Sequence, residues 1–592
     1  MNSLTQFWKR TSRKGFFILA VLFSQMLSAQ LRPHPVFDNN MVLQRDKPVK
    51  VWGWAAPQEE VKVEFGGQTK TAVANAGGEW MVHLDPVGAS SVSREMVISG
   101  KDSPVIFHNV LVGDVWVLGG QSNMEFDLVR VFHGDAETLS AHYPEIRLLT
   151  IPYNPSRVPV NDFKRINEYD GWHGRYDEKG YWFTCSPKTA ETFSGMGYIF
   201  GRRVHMASQV PIGIIDISVG GTTLEAWLAP ETLATMPENK SLLDQWNERV
   251  AAYDPEENLK TRISNWERNS ANRKRQGLEP LPKPTEPSPS PALDRSFPGS
   301  SYNGMVSGLT GLAVKGILFH HGYNNALGDA RPKLYEANFK ALVADWRRTF
   351  NDPDLPFGIA ELSAGGEPQT LENFEEKMVD AAQYIREAQF NTYKEVAHTG
   401  FVSSYDQQVN WYHPQKKAEV AERLARWALQ SCYGFGLGWE PPTCTKVEHA
   451  GNKIILTFSE EVKSSDDRPF EGFAVAANDR RYFPARAEYV TTKGQNGQVN
   501  VDKTRVEVSS DLVTEPAEVR YAWARNPLGN LISSETRVIP VPSFRTDNWD
   551  YPEAPYLPEA YEKHRQNLNL LRKQELERAK QRIKMEAELL LK

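Results

Sequence analysis

The first part of the chain alternates apolar and polar residues, which is the pattern of half-buried β-strands. Val49–Trp54 and Val61–Phe65 alternate in this way, and the turn that begins at Gly66 separates the second segment from the next one. Short alternating segments bounded by turns are typical of antiparallel β domains. We therefore predict a small β-sandwich domain over residues 30–112.

In the middle of the chain, continuous apolar segments alternate with helical ones. Asp114–Leu118 and Ile212–Ile217 have the composition of buried strands, and Gly195–Ala207 between them has helical character. A helical stripe at spacings i, i+3, i+4 and i+7 follows later in the chain, in Phe339, Leu342, Val343 and Trp346. Because strands that alternate with helices form parallel sheets, we predict an α/β domain over residues 113–431. A charged and proline-rich insertion interrupts it at about residues 230–300.

Alternation returns in the last third of the chain. Lys453–Phe458 and Val519–Trp523 show it, which predicts a second β domain over residues 432–550. Beyond it, residues 551–592 are rich in Glu, Lys, Arg and Leu and carry apolar residues at spacings of three and four. This spacing predicts an amphipathic helix that either makes the protein a homo-oligomer or docks on its own chain.

The first 29 residues have the three parts of a secretory signal peptide. A basic start is followed by the apolar run Gly15–Leu27 and by the small residues Ser28 and Ala29. We exclude residues 1–29 from the fold and expect an exported protein, periplasmic or extracellular. No second apolar run of membrane-spanning length follows, so we expect no membrane span in the mature chain.

Charge and cysteine content narrow the range of partners and scaffolds. The 592 residues carry a formal net charge of −6, which leaves no basic excess to neutralise phosphates, so we expect no nucleic-acid partner. The three cysteines, Cys185, Cys432 and Cys444, are an odd number that rules out a scaffold built on disulfides. A single bridge between Cys432 and Cys444 remains an alternative.

One short motif carries candidate chemistry. Residues 119–125 read Gly-Gly-Gln-Ser-Asn-Met-Glu and place Ser122 in a glycine-rich turn at the end of the predicted buried strand. Active sites of α/β sheets lie at such carboxyl ends of strands. A serine hydroxyl there is accessible as a nucleophile, and the N–H groups of the turn can face a developing oxyanion.

This motif resembles the nucleophile block of the SGNH hydrolases, and specifically of the sialate O-acetylesterase family. The resemblance runs through nearly the whole mature chain, in six ordered blocks that include Met41–Arg45, Gly220–Trp227, Tyr302–Met305, Arg386–Gln389 and Ser543–Trp549. It implies an α/β fold: an SGNH-type parallel-sheet sandwich flanked by β-sandwich domains, here with a C-terminal helix. It also implies a serine carboxylic-ester hydrolase that needs no cofactor.

The resemblance assigns roles to residues of this chain. Ser122 is the implied nucleophile, and His413 is the implied general base toward Ser122 and general acid toward the leaving sugar oxygen. The N–H groups of Ser122 and of Gly220 or Gly221 are implied donors of the oxyanion hole.

The histidine block departs from the family pattern. The family commonly carries an acidic residue two or three positions before the histidine, where this chain has Trp411 and Asn410. Two residues remain as candidates to orient His413, namely Asp406, which alternatively plays a structural part, and Asn410. Loss of the orienting carboxylate costs orders of magnitude in rate when the histidine adopts the wrong tautomer.

The block at residues 320–325 departs as well. It reads His-His-Gly-Tyr-Asn-Asn, where the family has Tyr-Gln-Gly-Glu-Ser-Asn. The Gly-Tyr-Asn-Asn part resembles a Gly-x-Asn-Asp block of other SGNH enzymes, which makes Asn324 the first and Asn325 the second candidate for an oxyanion donor.

Gln121 and His321 are candidates to line the pocket. His320 and His321 are adjacent on a predicted strand, so they point to opposite faces and cannot chelate one metal together. We therefore predict no catalytic metal.

Two classes of function follow. The first is a carbohydrate esterase that removes O-acetyl groups through a serine acyl-enzyme, with sialic acids as the family's substrate and acetylated xylan or pectic sugars as alternatives. The second is a degenerate member that binds glycans without turnover, which the two altered blocks motivate. A peptidase or lipase is disfavoured because no Gly-x-Ser-x-Gly sequence surrounds Ser122.

Overall fold

The computed structural model describes residues 30–549, apart from residues 171–174, 328–330, 408, 494–495 and 497. The predicted signal peptide (residues 1–29) and the predicted C-terminal helix (residues 551–592) lie outside the described residues. Export and oligomerisation through that helix therefore stay predictions.

The N-terminal region is built from eight strands. Their bounds are β1 Arg32–Pro33, β2 Val42–Gln44, β3 Val49–Trp54, β4 Glu60–Phe65, β5 Gln68–Val73, β6 Glu79–Leu84, β7 Ser90–Ser99 and β8 Val105–Gly120. One sheet has the order β1-β3-β6, and strands β5, β4, β7, β8 and β2 pair in succession. The inward side chains alternate along the strands, as Val61, Val63 and Phe65 do in β4, and this alternation buries them between the layers.

The central region is a mostly parallel sheet. Its strand bounds are β9 Tyr143–Thr150, β10 Ile166–Asp170, β11 Arg175–Lys179, β12 Trp182–Cys185, β13 Ile212–Asp216, β14 Gly316–His320, β15 Phe357–Ala360 and β16 Thr399–Val402. The order is β12-β9-β13-β8-β14-β15-β16, with β12 antiparallel at one edge, and β10 and β11 form a separate hairpin. The α/β prediction is confirmed.

Helices connect these strands. Their bounds are α1 Ser122–Glu125, α2 Gly134–Leu139, α3 Pro187–Ala190, α4 Gly195–Ser208, α5 Pro230–Thr235, α6 Lys240–Ala251, α7 Pro255–Arg275, α8 Arg331–Thr349, α9 Phe374–Lys377, α10 Ala382–Glu395 and α11 Lys417–Tyr433. Among the residues that the structure describes, no helix is long and apolar enough to cross a membrane.

The central sheet is covered on both faces. Successive residues of β8 point to opposite sides, so Trp116 and Leu118 pack with α4 and α11, whereas Val115 and Val117 belong to the core that includes α8 and α10. These residues are almost completely buried, which explains why β8 shows a continuous apolar run rather than alternation.

The C-terminal region is a second β unit. Its strand bounds are β17 Cys444–Ala450, β18 Lys453–Phe458, β19 Val462–Ser464, β20 Phe473–Ala476, β21 Tyr482–Pro484, β22 Arg486–Lys493, β23 Val499–Ser509, β24 Glu518–Tyr521, β25 Leu531–Ser533 and β26 Phe544–Arg545. Two four-stranded sheets, β17-β18-β23-β22 and β21-β20-β24-β26, contribute Ile454, Leu456, Val506 and Val519 to one core.

The border between the N-terminal and central regions falls inside a strand. The sequence analysis predicts this border between residues 112 and 113. In the structure, β8 runs without a break from Val105 to Gly120. Its first part pairs with β7 and its last part with β13 and β14. The domain limits stay predictions, and this one does not coincide with a linker.

The insertion at residues 230–300 contains α5, α6 and α7, followed by the proline-rich run. The indole of Trp266 on α7 donates to the carbonyl of Leu281 at 2.6 Å, so the run lies along this helix. All three cysteines are free, which shows that the alternative of a bridge between Cys432 and Cys444 is wrong.

One buried arginine links the central and C-terminal regions. Arg386 on α10 donates to the carbonyls of Leu362, Ala524 and Arg525 at 2.9, 2.6 and 2.7 Å. Its side chain is 1% exposed, so no water replaces these bonds. Removing the guanidinium leaves three buried carbonyl oxygens without this donor.

We expect Arg386→Ala to lower the free energy of unfolding by about 3 kcal/mol or more, because each unsatisfied buried polar group costs about 1–3 kcal/mol. Urea unfolding followed by tryptophan fluorescence measures the change. Arg481→Ala is the matched control, since that guanidinium is 67% exposed and its removal exposes nothing new. A loss below about 1 kcal/mol in Arg386→Ala would contradict the assignment.

Candidate active site

The candidate residues meet at the carboxyl ends of three neighbouring parallel strands. Ser122 follows β8, Gly220 follows β13, and Asn324 follows β14. His413 comes from the loop that precedes α11. Side chains from distant parts of the chain thus converge at one edge of the sheet, where α/β folds place their active sites.

Ser122 and His413 are in contact. The Nε2 atom of His413 lies 2.7 Å from the Oγ atom of Ser122, which is a hydrogen-bond distance. Ser122 is half-buried, whereas His413 is 3% exposed. An imidazole at this distance can accept the hydroxyl proton, so the pair has the geometry of a nucleophile and its general base.

Aromatic side chains surround the imidazole of His413. Its ring centroid lies 5.0 Å from that of Trp411, 4.2 Å from that of Tyr412 and 5.9 Å from that of Phe126. The rings restrict the rotation of the imidazole and limit the access of water to it.

A buried amide links the serine helix to the histidine loop. Asn123, next to Ser122, donates from Nδ2 to the carbonyl of Tyr412 at 3.1 Å and accepts a hydrogen bond from Nζ of Lys417. Lys417 is completely buried, and this burial lowers the pKa of its ammonium well below the usual range. Asn123 therefore holds the loop that carries His413 against the helix that carries Ser122.

The two candidates for orienting His413 are placed elsewhere. Both carboxyl oxygens of Asp406 accept from Arg423 of α11, at 2.9 and 2.6 Å, so the structural part is the one this residue plays. Asn410 is exposed, and among the described residues no hydrogen bond joins its side chain to His413. Both assignments to the histidine are therefore wrong.

The candidates for the oxyanion hole are backbone N–H groups and side-chain amides. The N–H of Ser122 lies in the first turn of α1, where N–H groups have no partner within the helix. The N–H of Gly220 points into the site and donates to the Oε2 atom of Glu125 at 2.6 Å. A carboxylate oxygen on this N–H shows that the site offers a donor to an anionic oxygen.

The two asparagines after β14 have different surroundings. Asn324 donates to the carbonyl of Gly221 at 2.8 Å and stays a candidate beside the site. Asn325 is completely buried, donates to the carboxylate of Glu225 at 3.0 Å and accepts from the N–H of Leu224. Asn325 is thus a structural residue, and its assignment to the oxyanion hole is wrong.

The pocket candidates Gln121 and His321 are buried in the interior. The Oε1 atom of Gln121 accepts from the N–H groups of Gly322 and Tyr323 at 2.7 and 2.8 Å, so Gln121 holds the loop after β14. His321 packs among aromatic rings such as Phe319, and burial lowers its pKa to about 3. Neither side chain lines an open pocket.

Glu125 lies beside a candidate oxyanion donor, because it accepts the hydrogen bond of the Gly220 N–H, and the sequence analysis gave it no role. Solvent reaches its side chain at the mouth of the cleft, yet the protein packed around the carboxyl raises its pKa to about 7. Burial is the largest cause and the carboxylate of Asp216 the second, whereas the N–H of Gly220 and the ammonium of Lys179 act in the opposite direction.

Within the described range, no group of three or more His, Cys, Asp or Glu side chains is arranged to hold a metal ion. His320, the last residue of β14, and His321 after it have different partners. Nε2 of His320 is 3.1 Å from Oγ of Ser363, and Nδ1 of His321 is 3.4 Å from the hydroxyl of Tyr335.

Comparisons with known proteins agree with this site. Residues 291–430 match the family model described as carbohydrate esterase, sialic acid-specific acetylesterase. Sialate O-acetylesterase of Mus musculus is 27% identical over 532 residues, which cover 83% of this chain and 89% of the mouse protein. Sialate O-acetylesterase of Homo sapiens is 26% identical over 524 residues, with 83% and 87% covered.

A solved structure extends the comparison to the fold. The crystal structure of a carbohydrate acetylesterase from Xanthomonas citri superposes with a TM-score of 0.69 and 27% sequence identity, over 88% of this chain and 100% of that chain. The fold and the site thus define a carbohydrate esterase, a carboxylic-ester hydrolase of the SGNH type. Within this class the chain is related to the sialate O-acetylesterases, and the resemblance carried by its motifs is confirmed.

We expect Asn123→Ala to lower kcat about 10- to 100-fold with little change in KM, because the histidine loop loses its anchor while the cleft stays open. Steady-state kinetics on p-nitrophenyl acetate measures both constants. Asn410→Ala is the matched control in the same loop, and its kcat should equal that of the wild type. Equal losses in both variants would contradict the role of Asn123.

We expect the ratio of kcat/KM between Glu125→Gln and the wild type to rise about fivefold to tenfold as the pH increases through about 7. Glu125 is neutral below its raised pKa and ionised above it, and the ionised carboxylate repels the oxyanion and competes with it for the N–H of Gly220. The neutral amide of Gln avoids this repulsion at every pH. A ratio that stays flat from pH 5 to 9, as expected for the remote variant Glu238→Gln, would contradict this effect.

Proposed function

We propose that the protein is an exported carbohydrate esterase that releases acetate from O-acetylated sialic acids through an acetyl-serine intermediate. The observation that carries the proposal is the 2.7 Å contact between Ser122 Oγ and His413 Nε2 at the edge of the central sheet. The names of the mouse and human relatives support sialic acid as the sugar. The three-part pattern of residues 1–29 supports export.

In the first half-reaction, Nε2 of His413 accepts the proton of Ser122 as Oγ attacks the acetyl carbonyl carbon. The carbonyl oxygen becomes an oxyanion that the N–H groups of Ser122 and Gly220 stabilise once the carboxyl of Glu125 moves aside. The ester C–O bond then breaks, and His413 returns its proton to the leaving sugar oxygen.

In the second half-reaction, His413 accepts a proton from water, and the resulting hydroxide attacks the acetyl group on Ser122. The second tetrahedral intermediate collapses, the Oγ–carbon bond breaks, and the proton returns to Oγ. Acetate leaves together with one proton at neutral pH. The N–H donors that stabilised the first oxyanion serve again, because both intermediates form on the same atom.

Aromatic packing contributes to the orientation of the imidazole. The acidic residue expected just before the histidine is absent, and Asp406 is bonded to Arg423. Packing against Trp411 and Tyr412 supplies orientation without adding a charge.

We expect Ser122→Ala and His413→Ala each to reduce acetate release from O-acetylated N-acetylneuraminic acid by about 10³-fold or more, because each removes one member of the pair. Acetate is measured enzymatically, and the covalent intermediate is sought by mass spectrometry as an acetyl group on Ser122. His398→Ala is the matched control, an exposed histidine on another surface, and it should retain full activity.

The same assay separates the alternatives. Equal background rates in the wild type and both variants would contradict an esterase and leave a glycan-binding protein. Turnover of acetylated xylan or pectin in preference to the sialic acid ester would keep the mechanism and change the sugar.

A further inference from the structure

One wall of the catalytic cleft is formed by the residues that follow the proline-rich run. Ser296 donates from Oγ to the carbonyl of Gly221 at 3.3 Å, and the N–H of Gly299 donates to the carbonyl of Glu225 at 2.9 Å. These bonds connect the segment to the loop after β13, which carries the oxyanion donor. The segment and the loop therefore form one wall with a fixed geometry.

Arg295 lies in this wall, next to the oxyanion loop. Its Nη1 atom donates to the carbonyl of Gly220 at 2.7 Å. Gly220 is itself so close to the nucleophile that a Cβ atom on it would lie 3.1 Å from Cβ of Ser122. A single glycine thus separates the guanidinium from the reacting serine.

Arg295 forms no ion pair with the described residues. Where the chain is described, no carboxylate lies within ion-pair distance of this side chain, which is exposed. The neighbouring Asp294 directs Oδ1 to the N–H of Ser296 at 2.8 Å. The guanidinium lies beside the ring of Tyr153, with 6.0 Å between its central carbon and the ring centroid. Among the described residues only Nη1 of this guanidinium forms a hydrogen bond, so its other N–H donors are available to a ligand.

We propose that Arg295 selects acetylated sugars that carry a carboxylate, by pairing its guanidinium with that group while Ser122 attacks the acetyl carbonyl. The planar guanidinium offers two parallel N–H donors to a carboxylate, a geometry that a neutral sugar cannot use. The proposal rests on the esterase function and adds the residue that recognises the carboxylate of the sugar. Sialic acids and uronic acids share this carboxylate, whereas acetylated xylose units lack it.

Four substrates and two forms of the protein test it. Wild type and Arg295→Ala are assayed on O-acetylated N-acetylneuraminic acid, on its methyl ester, on acetylated oligogalacturonate and on p-nitrophenyl acetate. We expect the wild type to prefer the free acid over the methyl ester about 10- to 100-fold in kcat/KM, as for a hydrogen-bonded charge pair. Arg295→Ala should lose this preference by losing activity on the free acids only.

Two controls separate charge recognition from damage to the loop. Activity on p-nitrophenyl acetate reports any displacement of Gly220, because this ester carries no carboxylate. Arg249→Ala removes another exposed guanidinium, stacked on Trp246 at 4.1 Å, and should keep the full preference for the acid. The sugar whose turnover depends more strongly on Arg295, sialic acid or galacturonate, identifies the source of the carboxylate, and either result supports the proposal.

The outcomes separate this inference from the proposed function. Equal preference for acid over methyl ester in active wild type and Arg295→Ala overturns the role of Arg295 and leaves the esterase. Acetate release from none of the four esters overturns the esterase function.

Calorimetric titration of unacetylated N-acetylneuraminic acid and galacturonate oligomers into Ser122→Ala, with and without Arg295→Ala, tests recognition without turnover. A tenfold loss of affinity for either acid supports the role, and equal affinities for both overturn it.

Discussion

The reacting serine depends on one close approach between two backbones. At the end of β8, Gly120 has a φ of 118°, and a Cβ atom there would lie 2.2 Å from the carbonyl oxygen of His320 at the end of β14. Only glycine fits this position, so the two strand ends lie side by side and the N–H of Gln121 reaches the same carbonyl at 3.0 Å. The side chain of Gln121 then holds the loop after β14. The placement of Ser122 and of the cleft floor follows from this contact.

Hydrogen bonds of its loop and aromatic packing help to hold the histidine. Asn123 joins the serine helix to the histidine loop, and the buried Lys417 saturates its carbonyl oxygen. Such a network is specific because each buried polar group has one geometry in which it is satisfied, and the loss of one member leaves the others without partners. This network fixes the position of the histidine loop relative to the helix that carries Ser122.

The sequence was sufficient for the fold class, which depends on local pattern, whereas Ser122 and His413 were paired through the resemblance of their motifs to a known family. Strand alternation and helix spacing are set by neighbours, and Ser122 and His413 lie in short motifs at strand ends and helix starts. Partners across the fold were not accessible in this way. Asp406 lies seven residues before His413, yet the packing of α11 gives its carboxylate to Arg423. Asn324 and Asn325 are adjacent amides that the sequence could only rank, and the backbone turn after β14 is what directs Asn325 inward. Glu125 is the last residue of the motif at residues 119–125, but its contact with Gly220 depends on the position of the loop after β13.

The strand β8 serves two sheets at once. Its sixteen residues begin among the N-terminal strands and end at the nucleophile, without an intervening linker. Fraying of the N-terminal sheet would therefore propagate along a continuous hydrogen-bonded ladder toward the serine turn, and the two regions should unfold together in a single cooperative transition. For protein engineering, this means that the N-terminal β unit is not an exchangeable module: a chimera that replaces it must preserve the register of β8 residue by residue, because a shift of one residue turns the buried side chains of the strand to the other face of the sheet.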